Sequence, residues 1–319
     1  MLVSIIVRTL DEERHLQSLL EGIASQETSD LELETVVVDS GSVDRTLEIA
    51  REYGCKIEHI SREDFSFGRS LNQGCARSRG EILVFISGHC VPCDPHWLLR
   101  LCEPIKDGRA QYVYGAQLAG PMTRFSEARL FERQYPETSA IPQRGIFCNN
   151  ANAALRRDVW EKFQFATHCS GLEDMELAKR ITKAGHAIGY QAEARVFHHH
   201  DERWHEVRWR FEREALALQE ILPDVHISRM DFARYFLSAV AHDLGRAQGQ
   251  GIALRKLHEI VCFRWQQYLG SYRGNHKLRL LSRRIKDQYF YPKRIDLGDL
   301  GELGELGEDV GPDEGAPRE

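Results

Sequence analysis

The residues best suited to chemistry fall in short groups along the chain. His198-His199-His200 follows an apolar stretch. Alternate residues of a strand share a face, so His198 and His200 point together and His199 points away. That pattern suits two metal ligands, one ligand beside a phosphate contact, or a histidine cluster without metal. Cys90-Val91-Pro92-Cys93 is a C-x-x-C flanked by His89 and His96. It could be a zinc knuckle or a redox pair. With no second C-x-x-C at suitable spacing and the other cysteines dispersed, it reads as structural thiols. Asp39, before Ser40-Gly41-Ser42, can cap a helix or accept hydrogen bonds from a base or ribose, while the small turn lets backbone amides approach a ligand. Glu173-Asp174, just ahead of Leu177, Ala178 and Ile181, reads as an acidic first turn favoured by the helix dipole.

These groups need elements to hold them. Val3 to Val7, Thr35 to Val38, Cys55 to Ile60 and Ile82 to Ile86 read as buried strands. Between them, Leu16, Leu19, Leu20 and Ile23, then Leu47, Ile49, Ala50 and Tyr53, follow helical spacing. A short helix carries Leu71 and Cys75. Asp94 caps a helix with Pro95 at its first position, and Leu98, Leu101, Cys102 and Ile105 line one face. Tyr112 to Leu118 and Ala151 to Arg156 read as strands. Leu177 to Ala184 reads as a helix closed by Gly185, and Ala187 to Tyr190 and Arg195 to His198 as two short strands. Beyond His200 the chain turns helical, with Val207, Phe211, Ala215 and Leu218 on one face and a further helix over roughly Ile252 to Leu269. Alternating strands and helices imply a largely parallel sheet with helices on both faces. Ligands then sit beyond the carboxyl ends of the strands, after Val7, Val38 and Ile86. There is no G-x-G-x-x-G after the first strand and no G-x-x-x-x-G-K-[ST] anywhere, which weighs against dehydrogenase and P-loop readings.

The order of several pieces resembles the inverting family 2 glycosyltransferases of GT-A fold. They are Val3-Ser4-Ile5-Ile6-Val7-Arg8-Thr9, Val36 to Thr46, Gly68-Arg69-Ser70-Leu71-Asn72-Gln73-Gly74, Gly80 to Ile86, Gly171 to Arg180, and His198-His199-His200. Phe65-Ser66-Phe67-Gly68-Arg69 with Asn72 is similar to rhamnosyltransferase-like members that build bacterial surface polysaccharides. The resemblance implies a GT-A-type (Rossmann-like) α/β domain over 1–220 with a mixed, mainly parallel sheet. A basic helical extension would occupy 221–294 and an acidic disordered tail 295–319. It implies transfer of a sugar from a nucleotide diphosphate-sugar to a hydroxyl of a saccharide or lipid-diphosphate-linked acceptor. Asp174 would be the general base and Glu173 its neighbour. Thr9, Glu13, Asp39, Ser42, Arg69, Asn72, Ser87 and His89 would border the nucleotide and diphosphate. Asn150, Asn152 and Trp97 would approach the donor sugar or acceptor.

The family usually carries Asp-x-Asp after the fourth strand, holding a divalent metal on the diphosphate. Here that position reads Ser87-Gly88-His89. Ser and His do not replace two hard carboxylates. His89, with His198 or His200, could ligate Mn, Zn or, less suitably, Mg; without a metal, His89 and Arg69 would stabilise the leaving diphosphate by hydrogen bonds and charge. The missing Asp-x-Asp also supports a rival reading as a degenerate, non-catalytic nucleotide-sugar-binding subunit. A sugar-phosphate nucleotidyltransferase is disfavoured, because Arg8-Thr9-Leu10-Asp11-Glu12 is not a glycine-rich basic loop.

Composition agrees with a globular protein: 319 residues, 42% apolar and 28% charged. No apolar run can span a bilayer, and the opening residues read as a strand, not a secretion signal. With scattered cysteines, a cytoplasmic location follows. The net charge of -6 is uneven. Residues 203–294 hold 18 Lys/Arg against 9 Asp/Glu, whereas 296–319 hold 9 acids and a single base. The basic region, with Trp265, Tyr268 and Tyr272, suits an acceptor or peripheral contact at the inner membrane face, or a plain amphipathic helix packed on the domain. The Leu-Gly-Asp/Glu repeats from Leu297 read as disorder. A nucleic-acid partner is disfavoured by the overall acidity and the lack of a binding motif.

Overall fold

The computed structural model describes residues 1–28 and 30–290. The elements in chain order are β1 (Leu2–Thr9), α1 (Leu16–Ala24), β2 (Glu32–Asp39), α2 (Thr46–Glu52), β3 (Lys56–His59), α3 (Phe67–Arg77), β4 (Ile82–Ser87), β5 (Cys90–Pro92) and α4 (Trp97–Lys106). They continue as β6 (Tyr112–Ala119), α5 (Phe125–Gln134), β7 (Asn152–Arg156), α6 (Arg157–Phe163), α7 (Glu173–Lys183), β8 (Ile188–His198), α8 (Trp204–Ile221), α9 (Arg229–Gly249) and α10 (Ala253–Phe290).

One sheet runs in the order β3-β2-β1-β4-β7-β6-β8-β5. Its first half, β3 to β4, is parallel, while β7 pairs antiparallel with both β4 and β6. The fold is thus the mixed, mainly parallel α/β architecture with a helical C-terminal region that the sequence implies. The apolar runs are buried on both faces because helices cover both. Ile5, Val7 and Val37 face one core with Leu16, Leu19 and Trp97. Ile6, Val36 and Val38 face the other with Leu71, Leu177 and Ile181. Alternation along each strand assigns these residues to opposite faces.

Several elements depart from the sequence reading. β8 is one continuous strand, not two. Its middle, Ala192 and Ala194 inward with Glu193 and Arg195 outward, alternates with residues too small to register as apolar. A bulge at Gly115/Ala116 absorbs the change of register against β6. α4 begins at Trp97; Pro95 lies ahead of it, where Asp94 accepts from the His96 amide at 2.8 Å. α5, α6 and α9 are additional helices, and β5 is an additional short strand. The boundary expected at 220 is not a break in packing, because Met1–Asn275 forms one compact unit. Within it, Arg264 of α10 is 4% exposed and donates to both Asp243 carboxylate oxygens at 2.7 and 3.0 Å and to the Ser126 carbonyl at 3.2 Å. Glu259 accepts from the Phe125 amide at 2.6 Å, tying α10 to the start of α5. The acidic tail read at 295–319 lies outside the described residues. Among the described residues, no helix is long and apolar enough to cross a membrane.

Candidate active site

A cleft of about 790 Å³ opens at the carboxyl ends of β1 and β4 and extends to the end of β8 and the starts of α5, α7 and α8. One lip is the pair of loops after β1 and β2, which are laced together. The Asp11 amide donates to Ser42 Oγ at 2.9 Å, and the Val43 amide donates back to Asp11 Oδ1 at 2.8 Å. The Glu12 amide donates to Thr46 Oγ1 at 2.7 Å, the Glu13 amide to Asp44 Oδ2 at 3.0 Å, and the Arg45 amide to Glu13 Oε2 at 3.2 Å. Asp39 is 1% exposed. Its carboxylate accepts from the Gly41 and Ser42 amides, from Ser42 Oγ and from Thr9 Oγ1. A carboxylate has about four acceptor positions, so a base reaching Asp39 must displace one of these bonds.

The opposite wall holds the acidic pair. Leu172 precedes α7 with φ +54°, a left-handed conformation that is costly for a bulky residue. This sharp entry turns Glu173 and Asp174 into the cleft at the positive end of the helix. Asp174 Oδ2 accepts from the Asn150 amide at 3.0 Å and Oδ1 from the Met175 amide at 2.7 Å. Glu173 Oε1 accepts from Arg8 Nη1 at 3.2 Å and from Asn150 Nδ2 at 3.4 Å. Burial and then the adjacent Glu173 charge push the Asp174 carboxyl up to about 7, against the two amide bonds and Arg8. Tyr112 donates to Asn150 Oδ1 at 2.5 Å and fixes the side-chain amide that donates to Glu173.

The histidines close the floor. His89 Nδ1 contacts Glu12 Oε1, His198 Nδ1 contacts Gln117 Oε1, and His200 Nδ1 contacts Glu127 Oε1, each at 2.6 Å. The Nε2 atoms of His89 and His198 lie 3.0 Å apart. Burial, followed by the charges of His200 and His89, drives His198 well below its ordinary value, so its ring is neutral. Although burial would raise Glu127, its His200 hydrogen bond and Arg210 hold its carboxyl below the usual range. His199 faces away from this group and stacks on His15, with ring centroids 4.6 Å apart.

Of the residues singled out in the sequence, Glu13, Ser87, His89, Glu173, Asp174, His198 and His200 line the cleft. Thr9, Asp39 and Ser42 lie just behind its lip, and Asn150 is a buried support for the acids. Four others have structural positions that differ from the ligand-contact expectation. Asn152 and Trp97 are 0% exposed. Trp97 Nε1 donates to Asn152 Oδ1 at 2.9 Å, and Asn152 Nδ2 donates to the Ala116 and Ala194 carbonyls at 3.0 and 2.8 Å. Asn72 accepts from Trp160 Nε1 and the Phe165 amide and donates to the Phe165 carbonyl, locking α3 to the segment after α6. Arg69 is exposed and donates to the Asp64 carbonyl at 3.0 Å, away from the cleft.

Sequence reasoning missed Arg8, Glu12, Gln117, Glu127, Arg210 and Arg213 of the cleft wall. Arg8 and Arg213 lie over the ring of Phe67, 5.1 and 4.7 Å from its centroid. Only the alternation of β1, which turns Arg8 away from the buried Val7, carried a signal for any of them. Cys90 and Cys93 are free thiols. Burial raises Cys90 well above its ordinary value and Cys93 to about 12, so both are inert at neutral pH.

The comparisons with known proteins agree with this geometry. Residues 4–163 match the model for glycosyl transferase family 2, and the chain belongs to that family. It is 26% identical over 280 residues to the O-antigen chain rhamnosyltransferase RfbN of Salmonella typhimurium, covering 80% of each protein. It is 29% identical over 202 residues to the glycosyltransferase AglE of Haloferax volcanii, covering 59% of this chain and 64% of AglE. Among solved structures, the mannosyltransferase PcManGT of Pyrobaculum calidifontis, in complex with GDP-Man and Mn2+, superposes with a TM-score of 0.58 at 18% identity. That match covers 91% of this chain and 87% of the mannosyltransferase. The fold is therefore that of the GT-A glycosyltransferases.

Proposed function

We propose that this protein transfers a sugar, with inversion, from a nucleoside diphosphate-sugar to a hydroxyl of a saccharide acceptor during assembly of a surface polysaccharide. Asp174 carries the reading. It is a buried carboxylate in the cleft, held by two backbone amides, with its proton affinity raised toward neutrality. A group of that kind suits general-base catalysis near neutral pH. The acceptor O–H gives its proton to Asp174 while the oxygen forms a bond to the anomeric carbon. The bond from that carbon to the diphosphate breaks on the opposite face, and its electron pair leaves with the nucleoside diphosphate. Glu173, held by Arg8 and Asn150, keeps Asp174 basic through its neighbouring charge. The laced loops after β1 and β2, with Thr9, Glu13, Asp39 and Ser42, would border the nucleotide. Arg8 and Arg213 would face anionic groups of the substrates.

A divalent cation belongs to this reading. The residues that would hold it are His89, His198 and His200, and it would supply positive charge to the departing diphosphate. The site lacks the paired carboxylates that Mg prefers, and its adjacent acids, Glu12 and Glu127, are already bonded to His89 and His200. An acceptor carried on a lipid diphosphate would bring the chain to the inner face of a membrane. The exposure of Met230, Leu237, Leu254 and Trp265 on α9 and α10, helices that also expose Arg234 and Arg255, supports such a contact.

Incubation with a panel of nucleotide sugars and saccharide acceptors, followed by NMR of the product anomer, tests the transfer. The expected result is nucleoside diphosphate release with inverted configuration. Retained configuration would sink the mechanism. Stabilisation by nucleotide sugars with no turnover of any would favour the rival reading as a non-catalytic binding subunit.

A further inference from the structure

The three histidines at the end of β4 and β8 converge their ring nitrogens on one point of the cleft. One ligand atom from each of His89, His198 and His200 lies within 4.8 Å of the other two. Each ring spends Nδ1 on an oxygen acceptor of its own, in Glu12, Gln117 and Glu127. With Nδ1 turned to an oxygen, Nε2 is the ring atom left for a further ligand. For His89 and His198 the two Nε2 atoms lie 3.0 Å apart. A separation of that size suits one proton or one cation held between the two rings. Two nitrogens bound to one tetrahedral ion at about 2.05 Å stand roughly 3.3 Å apart, close to the separation seen. Histidines oriented from behind by carboxylate or amide oxygens are the common outer arrangement of metal-binding imidazoles. The overlapping group of Glu127, His200 and Glu202 is not a rival cation site. Arg210 already donates to both of its carboxylates at 2.5 and 2.7 Å.

We propose that His89, His198 and His200 form an all-imidazole site for a first-row transition cation of the Zn2+ type, in place of an oxygen site for Mg2+. Imidazole nitrogen selects Zn and its neighbours, whereas Mg requires oxygen ligands. Three histidines leave a coordination position open, as in catalytic zinc sites, and here it faces the cleft. Substrate phosphate oxygen is the ligand chemistry that position would take. This last clause rests on the transferase reading; the site itself rests on the geometry.

The test uses the full chain, stripped with a chelator and dialysed against Zn2+, Co2+, Mn2+ and Mg2+ in turn, with metal content and the visible spectrum of the Co2+ form as readouts. The expected result is one Zn2+ or Co2+ per chain, strong visible Co2+ absorption, and Mg2+ uptake at least about a hundredfold weaker. Gln117→Ala, which frees the Nδ1 of His198, should weaken Zn2+ binding about 10–100-fold. His198→Gln and His200→Ala should weaken it further. His242→Ala, an exposed histidine on α9, should bind as the wild type does. His89→Asp should move preference toward Mn2+ and Mg2+. Circular dichroism of each variant separates lost ligation from lost folding, and two independent ligand variants keep the test usable if one fails to fold. No uptake of Zn2+ or Co2+, unaltered uptake in both His198→Gln and His200→Ala, or equal binding of Mg2+ would overturn the site. Nucleotide-sugar stabilisation that survives chelation, without metal uptake, would leave the transfer reading standing and remove the metal. Metal uptake without any nucleotide response would do the reverse.

Discussion

The two walls of the cleft are both crowded with acids, yet the acids are in opposite conditions. On the lip formed after β1 and β2, Asp11, Glu13, Asp39 and Asp44 all accept backbone amides of the same two loops. Their lone pairs are spent on shaping the lip. On the far wall, Asp174 sits against Glu173, a like charge, behind a strained Leu172, with its carboxyl pushed toward neutrality. The histidines of the same cleft turn Nε2 atoms toward one another. A saturated acid holds a structure in place, whereas an acid kept against its preference holds a reaction. The lip is therefore a preformed frame and the far wall the reactive surface.

The largest test of that contrast is Asp174→Asn. It keeps the shape of the side chain and removes the base. The expected loss is about 10²–10⁴-fold in kcat, with nucleotide-sugar binding retained in a melting assay. An equal loss from Asp44→Asn on the lip, with wild-type melting behaviour, would erase the distinction between the walls.

Next in size is a stability effect. Asn152→Ala leaves the Ala116 and Ala194 carbonyls and the Trp97 indole N–H without partners in a dry core. Each buried orphan costs about 1–3 kcal/mol, so the variant should melt several degrees lower with its substrate KM unchanged while folded. A raised KM without a lower Tm would return Asn152 to the substrate surface and contradict its place in the core.

The frame was more legible in the sequence than the reactive wall was. Runs such as Ile82 to Ile86 are buried on both faces, and a continuous apolar run can mean little else in an alternating chain. β8 lost its middle because alternation carried by Ala192 and Ala194 gives no hydrophobic signal. α9 went unread for a related reason: it buries Asp243 and Ala247, not large apolar residues. At the site, Glu173-Asp174 and His198-His199-His200 stood out because adjacent residues of one type are visible in a line of text. Their supports were not. Gln117 and Glu127 are distant in sequence and meet the histidines only through tertiary packing. Asn152 and Trp97 looked like ligand contacts because polar and aromatic residues near a cleft serve either purpose, and only burial separates the two.

The finer predictions concern the proton on Asp174. The groups that act on it are the Glu173 charge, which raises its proton affinity, and Arg8 and the two amides, which lower it. The buried Tyr112 and Cys148 stay neutral, since burial raises both well above their ordinary values. The base form is the ionised one, so kcat/KM should climb as pH rises through about 7 and level off above it. Glu173→Gln removes the raising charge and should move that midpoint toward acid. Arg8→Met removes a lowering charge and should move it toward alkali. Shifts of the same sign in both variants would refute the assignment of the titrating group to Asp174.

The smallest expected effect is on the exposed Arg69 in the first turn of α3, which bonds the Asp64 carbonyl in the loop before that helix. Surface substitutions of this kind usually stay within about 0.5 kcal/mol. Arg69→Ala should leave the melting temperature and the KM for the nucleotide sugar close to wild type, measured side by side with Arg8→Met. A large rise in KM would mean that the start of α3, with Arg69, closes over the lip once a nucleotide is bound. In that case the lip would be a closing surface, and its saturated acids would describe the open state alone.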